Sequence, residues 1–320
     1  MPLLSSSLSR YCPYSTRSAT KFVETPMVSL PPQEKRLRLN RNQFDHAKNL
    51  LRHHPNECPV TFTEGISLKE FSKYIDTHPK LPVRICLTEG SVVAYEYPQD
   101  CHAYVTGRIT GLLYLWDATH DLRIGGNLDV VVGSNSMLIA DCFIRPKRRP
   151  HPPPGQGTND AGLAYPTVVT EIATSQSLRS VTAKVPQYFS ARTTIQAFLV
   201  IKIWEPRQDG TMAMVALLYR RANPNPMIPI STVSFGTAGI DPQANQGLVG
   251  IVGDPNLITG VGYGGAACDG AGIPAYQLNI PAVDIYNGDP QGIPAARIHG
   301  FNLDLWDIQM LALETNELLA

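Results

Sequence analysis

Two carboxylates stand where a chain seldom places charge. Asp141 interrupts the apolar run Met137-Leu138-Ile139-Ala140-Asp141-Cys142-Phe143-Ile144, and Glu171 sits near the end of Thr167-Val168-Val169-Thr170-Glu171-Ile172-Ala173. A carboxylate inside a β-rich run is costly unless it is paired, hydrogen-bonded or bound to a metal. Two of them on neighbouring strands would repel, and a hard divalent cation, Mg²⁺ or Mn²⁺, relieves that repulsion. Such a cation can activate water and offset charge on a phosphoryl group. Taken alone, the pair fits better as two strand-end acids in solvent. Lys202 breaks the run Phe198-Leu199-Val200-Ile201 and is a candidate basic partner. An outward position on a one-sided strand explains it better.

Other patterns say less. Gly260-Val261-Gly262-Tyr263-Gly264-Gly265 satisfies GxGxxG, but a dinucleotide loop needs a strand before it and a helix after it. Asp254-Pro255 precedes it, and Gly270, Gly272 and Pro274 follow, so it is loop composition. The sequence holds no P-loop, GxSxG or HExxH motif, which removes the commonest NTPase, hydrolase and zincin readings. The run Arg145-Pro146-Lys147-Arg148-Arg149 opens a Pro-rich loop just after Asp141. Arg145, Lys147, Arg148 and Arg149 could grip phosphates there, although an exposed, solvated turn is the plainer reading.

The elements that must position these residues follow from periodicity and turn chemistry. A short charged helix is expected around Asn42–His53. Ser67-Leu68-Lys69-Glu70 resembles a capping box, and Leu68, Phe71, Tyr74 and Ile75 mark a helical face. Arg84–Leu87 and Ser91–Tyr95 read as strands joined at Glu89-Gly90. A helix is expected over about 101–116, with Val105, Ile109, Leu112, Leu113 and Trp116 inward. Leu128–Val132 and Met137–Ile144 form a hairpin signal across Gly133-Ser134-Asn135. Thr167–Ile172, Gln196–Trp204 and Met212–Tyr219 complete the strands, with a short helix near Pro186–Ser190. All five later strands are expected in one mixed sheet. The Gly/Pro-rich stretch 236–272 reads as mostly irregular, order returns near Tyr276–Ile280, and Phe301–Leu319 reads as an acidic helix docking by Leu305, Ile308, Ala312 and Leu313.

The order of several short motifs resembles the Uma-type restriction endonuclease family of the PD-(D/E)XK nuclease superfamily, as a divergent, fungal-type member. Ile66-Ser67-Leu68-Lys69-Glu70-Phe71 looks like that family's opening helix, and Leu87-Thr88-Glu89-Gly90-Ser91-Val92-Val93 resembles its first hairpin. His102 falls where the family has a histidine opening a helix. Ala140-Asp141 looks like the "PD" step, Tyr165 to Ser175 resembles the block carrying the second acid, and Tyr188-Phe189 with Ile195–Ile203 resembles the following helix and strand. The resemblance spans about residues 62–220. It departs from the family at Ala140 (for Pro), Glu89 (for Asp) and Ala173 (for the usual Lys).

The resemblance implies an α/β (α+β), restriction-endonuclease-like core: a twisted mixed sheet flanked by helices. It implies metal-dependent hydrolysis of nucleic-acid phosphodiester bonds, DNA above all, with Asp141 and Glu171 holding Mg²⁺ or Mn²⁺. Lys184 suits a lysine migrated to the next helix, and Glu89 and His102 would flank the site. The alternative is a catalytically inactive module that keeps the fold for nucleic-acid binding or protein interaction.

The charge is zero overall but uneven. Residues 1–56 carry nine Lys or Arg against three acids, and residues 222–320 carry one Arg against nine acids. The expected organisation is a basic, largely disordered segment over 1–58, the nuclease-like domain over 59–221, and an acidic Gly/Pro-rich extension over 222–320. Six cysteines lack CxxC or zinc-finger spacing and read as reduced thiols, so an intracellular protein of nucleus or cytoplasm is expected. The Ser-rich, acid-free residues 1–23 also fit a mitochondrial transit segment. No apolar run is long enough to span a bilayer as a helix. Homodimerisation is compatible with the sequence.

Overall fold

The computed structural model describes residues 35–53, 59–97, 99–159 and 162–317. The expectations for residues 1–34, including a transit segment, lie outside them.

Helix α1 (Arg41–His53) begins at a reciprocal cap, in which Asn40 Oδ1 accepts from Gln43 N–H and Gln43 Oε1 accepts from Asn40 N–H. Its buried residues Phe44, Ala47 and Leu51 repeat at helical spacing. Strand β1 (Val60–Thr63) follows, then α2 (Leu68–Thr77), capped by Ser67 as its sequence suggests. Strands β2 (Arg84–Thr88) and β3 (Ser91–Glu96) form the expected hairpin. Glu89 and Gly90 both take positive φ, the type I′ geometry that matches strand twist. Helix α3 (Asp100–Trp116) buries Cys101, His102, Val105, Ile109 and Leu113.

Next come β4 (Leu122–Gly125), β5 (Leu128–Gly133), β6 (Ser136–Ala140) and β7 (Cys142–Pro146). The run 137–144, expected as one strand, is two: the chain bends at Asp141. Strands β5 and β6 pair in a five-stranded antiparallel sheet of order β1-β3-β2-β6-β5, whereas β4 and β7 pair in the other sheet. One long hairpin thus passes from one sheet to the other, so the five later strands do not share a sheet. A Cβ on Gly126 would lie 2.6 Å from the Asp141 carbonyl oxygen. Only glycine lets the two arms stay this close at the crossing.

The remaining elements are β8 (Val168–Ala173), α4 (Leu178–Thr182), α5 (Val185–Tyr188), β9 (Ala197–Ile203), β10 (Ala213–Arg220), β11 (Ser231–Gly236), α6 (Pro242–Val252), β12 (Ile258–Gly260), β13 (Gln277–Ile280), α7 (Ala282–Ile285), β14 (Phe301–Asp304) and α8 (Leu305–Glu317). The second sheet has seven strands in the order β12-β11-β10-β9-β8-β7-β4 and is mixed, since β8–β9 and β11–β12 are parallel. The fold is α+β, a mixed sheet flanked by helices.

One face of the large sheet packs on α3, α7, α8 and the β13–β14 pair. The other packs on α4, α5, α6 and the inner face of the small sheet. The outer face of the small sheet is covered by α1 and α2. The stretch 236–272 is more ordered than its composition suggests. Asp241 caps α6 by accepting from the Gln243 and Ala244 N–H groups, and β12 extends the sheet. Residues 301–304 form a strand rather than the start of a helix, pairing with β13. Leu305, Ile308 and Ala312 are buried in the core as expected, with Leu313 packed beside them. The boundary expected at 221/222 falls between β10 and β11, which pair over six residues.

Candidate metal centre at the sheet junction

Asp141 sits at the bend between the two sheets. Cys142 pairs with Thr170, so the next step along this antiparallel ladder sets Asp141 beside Glu171. The two acids are on adjacent strands, yet their partners differ. One Asp141 oxygen takes the Arg84 guanidinium. The other accepts from Ile172 N–H at 2.8 Å and lies 3.0 Å from His102 Nε2. Glu171 takes Lys184 Nζ at 2.7 Å and the Tyr188 hydroxyl at 2.5 Å. Lys184 also lies 4.0 Å above the Tyr95 ring. It stands at the N-terminal boundary of α5, where Pro186 fits the first turn.

The sequence reading missed Glu96. This residue ends β3 and is fully buried. Its Oε1 accepts from the N–H and hydroxyl of Thr174 at 2.9 and 3.3 Å, while Oε2 lies 3.5 Å from His102 Nε2 and has no hydrogen-bond partner. Ligand atoms of Glu96, His102 and Asp141 lie within 4.8 Å of one another. The test that singled out Glu171, an acid closing an apolar run, applies equally to Ser91–Glu96 and would have found it. Arg84 was overlooked because it opens a strand, where a charge looks ordinary.

The electrostatics separate the acids. Burial alone would raise the Asp141 carboxyl, but His102, through charge and hydrogen bond, and Arg84 outweigh it and hold it down to about 2. At Glu171 burial dominates, Asp141 adds to it, and Lys184 offsets only part, so the carboxyl is pushed up to about 7. Burial lowers His102, but Asp141 and then Glu96 more than reverse this, leaving it above the ordinary histidine value. Burial pushes the Tyr95 and Tyr188 hydroxyls well up, so both serve as neutral donors or packing groups.

The other sequence candidates are placed elsewhere. Glu89 is exposed in the β2–β3 turn, where its N–H meets Ser136 Oγ at the far end of β6 from Asp141. Lys202 is buried and donates to the Thr174 carbonyl, on the next turn of chain after Glu171. The basic run after Asp141 is largely spent inside the fold. Arg145 is buried on the Ala164 carbonyl, Arg148 bridges Asp121 and Asp289, and Arg149 holds the Tyr165 carbonyl. Lys147 alone of the four is exposed.

Comparison with known proteins adds little. No family model and no curated protein matches the chain. Among solved structures, a DUF820 protein from Anabaena variabilis, described as a "putative nuclease", aligns with a TM-score of 0.38 at 18% identity, covering 57% of this chain and 92% of that one. A likeness this distant carries no argument about fold or chemistry.

The residues at the junction fit a cation. The orphaned Glu96 oxygen faces His102 and Asp141, and two carboxylates with one imidazole make a mixed oxygen–nitrogen donor set. That set can hold a divalent cation. Among the described residues, no helix is long and apolar enough to cross a membrane.

Proposed function

We propose that the chain is a metal-dependent nuclease whose centre is built by Glu96, His102 and Asp141, with Glu171 and Lys184 beside it. The observation that carries this reading is the buried three-ligand cluster with its unsatisfied Glu96 oxygen. The ordered motif resemblance over residues 62–220 supplies the reaction class. A bound divalent cation would polarise a phosphodiester and lower the pKa of its water. His102 must give up its proton to serve as a ligand. Lys184 is held between Glu171 and the Tyr95 face, a fixed ammonium for charge developing on the phosphoryl oxygens. DNA is the substrate the resemblance favours.

A second reading has its own support. Arg84, Lys184 and His102 face Glu96, Asp141 and Glu171, so the cluster can balance its charges without an ion. Such a centre would belong to a catalytically silent module that keeps the fold for binding. Calorimetric titration with Mn²⁺ and Mg²⁺, together with cleavage of supercoiled, single-stranded and RNA substrates, separates the two. The nuclease reading expects Mn²⁺ binding and cleavage, both lost in Asp141→Ala and Glu96→Ala. Cleavage that survives both substitutions and chelation would show the wrong residues were chosen. Absence of metal binding and of cleavage would establish the silent module.

A further inference from the structure

With the three arginines of the basic run after Asp141 tied into the fold and only Lys147 exposed, a nucleic-acid ligand needs another surface, and the molecule has one. A cavity of about 320 Å³ opens between the end of α1, the end of β8 and the segment following β9. Arg52, His53, Thr174, Ser175, Trp204 and Arg207 line it, and Lys202 contributes from β9. We propose that this cleft binds single-stranded nucleic acid and leads the strand toward the Glu96–His102–Asp141 centre. The inference deepens the proposed function and rests on it for the class of ligand.

Three observations converge on it. The first is chemical. Arg52, His53 and Arg207 are exposed at the rim, Arg207 with one guanidinium nitrogen on the Gly239 carbonyl and the rest of its fork outward, and guanidinium groups grip phosphate oxygens. Trp204 is partly exposed beside them, with Lys202 Nζ 5.8 Å from its ring centroid. Basic groups that follow a backbone, interleaved with an aromatic face on which bases stack, are the recurrent solution for unpaired strands. Two acids also line the cleft. Asp241 caps α6 through one oxygen but stays exposed and charged, so it and Glu205 are the two carboxylates the rim's basic groups must outweigh.

The second is the charge of the neighbouring helix. Residues 35–53 carry six Lys or Arg against one acid, and Arg36, Arg38, Arg41 and Arg52 are exposed there. Because α1 buries Phe44, Ala47 and Leu51 against the small sheet, its basic residues are left on the outer side. The third is continuity with the centre. Thr174 lines the cleft and also holds Glu96, through its N–H and its hydroxyl. Ser175 in the same wall is locked to Tyr97, its hydroxyl accepting from the N–H at 2.9 Å and donating to the carbonyl at 3.1 Å.

The test is fluorescence anisotropy of the full chain with a fluorescein-labelled oligothymidylate, in EDTA so that nothing is cleaved. Matching titrations use a duplex of equal length and a poly-glutamate peptide. The expected result is preference for the single strand. Arg52→Glu with Arg207→Glu should weaken binding more than about tenfold and flatten the salt dependence by about 1.4 in log–log slope. Trp204→Ala should cost about five- to hundredfold, and Trp204→Phe, which keeps the partly buried side chain, much less. Lys147→Glu should change nothing, and unaltered melting of each variant confirms that it folds. Unchanged affinity in the double charge reversal, or equal binding of duplex or of poly-glutamate, would overturn the proposal. If the wild type never cleaves yet loses strand binding in the double variant, the cleft stands and the catalytic reading falls. If it cleaves while the double variant binds normally, the cleft is wrong and the centre stands.

Discussion

Replacing Lys184 by Met probes the centre through its most enclosed ion pair. The Lys184 ammonium meets Glu171 at 2.7 Å with both side chains at most 5% exposed. Burial pushes the Glu171 carboxyl up to about 7, against an unfolded value near 4.3, with Asp141 pushing further up and Lys184 holding it back. A raised acid makes the native state bind more protons than the unfolded one. In the wild type, stability from this group therefore falls as pH rises from about 4.3 to about 7, then levels off. Without Lys184 the Tyr188 hydroxyl and the more distant Arg84 charge still favour the charged form, but the strongest opposing group is gone, so the carboxyl rises further and stability keeps falling above pH 7. The slope is about 1.4 kcal/mol per pH unit, so the gap between wild type and variant should widen by about 2 kcal/mol between pH 7 and 8.5. A pH-independent loss of about 0.5–2 kcal/mol accompanies it, from the contact with the Tyr95 face. Urea unfolding at pH 6, 7 and 8.5 reads both parts, and adding Glu171→Gln should abolish the slope. A wild-type-to-variant gap that stays constant over this range would refute the pairing of Lys184 with a raised Glu171.

Three further outcomes follow from the same geometry. Asp141→Asn strips the counter-charge from Arg84 and His102 and should cost about 3–5 kcal/mol at neutral pH. Since the wild-type carboxyl is depressed to about 2, its contribution is present above pH ~3.9 and fades as pH falls toward 2, so acid denaturation curves of the two proteins should converge there. Glu96→Gln should lower Mn²⁺ affinity more than about tenfold by calorimetry while leaving the fold intact, since Gln keeps an acceptor for Thr174; equal affinity would remove Glu96 from the ligand set. Leu305→Ala and Ile308→Ala, both fully buried, should each cost about 2–5 kcal/mol in thermal or urea unfolding, and a smaller loss would mean that α8 docks loosely.

Much of this architecture was legible in the sequence where one signal sufficed. The N-cap at Ser67, the Glu89-Gly90 turn and the α3 stripe of Val105, Ile109 and Leu113 are local and appear as read, although of the expected capping box only the Ser67 half is formed. The bend at Asp141 was not, because Ala140-Asp141-Cys142 keeps the β-rich composition through a change of sheet. What marks the break lies across the chain, in Gly126 against the Asp141 carbonyl. The basic run 145–149 failed for a related reason. Composition counts charges but does not show that Asp121 and Asp289 come back to Arg148, the second from far along the chain. In the same way Asp141 and Glu171 were identifiable as acids needing partners, and Lys184 was named for Glu171, but Arg84, which pairs with Asp141, and Glu96, which meets Asp141 only through His102, come from the first hairpin. Helix α6 was masked by the glycines around it, and Asp241 was the cue.

Arg84 is the residue on which the two functional readings divide. Its guanidinium occupies one oxygen of Asp141, and at 19% side-chain exposure it is the most accessible member of the cluster, beside a cleft lined by Tyr95, Asn127 and Ile139. With Arg84, Lys184 and His102 against three carboxylates, adding a divalent cation would leave an excess positive charge in a buried site, which is unfavourable. A cation therefore enters only if positive charge leaves, by loss of the His102 proton and by outward movement of Arg84. In a working metal centre Arg84 competes with the ion, and Arg84→Met should tighten Mn²⁺ binding in calorimetry while lowering the stability of the metal-free protein. In a silent module Arg84 is itself the cation that completes the site, and the same substitution lowers stability without creating measurable Mn²⁺ affinity. Weaker Mn²⁺ binding in Arg84→Met than in the wild type would contradict the competition and place Arg84 among the groups that support the ion.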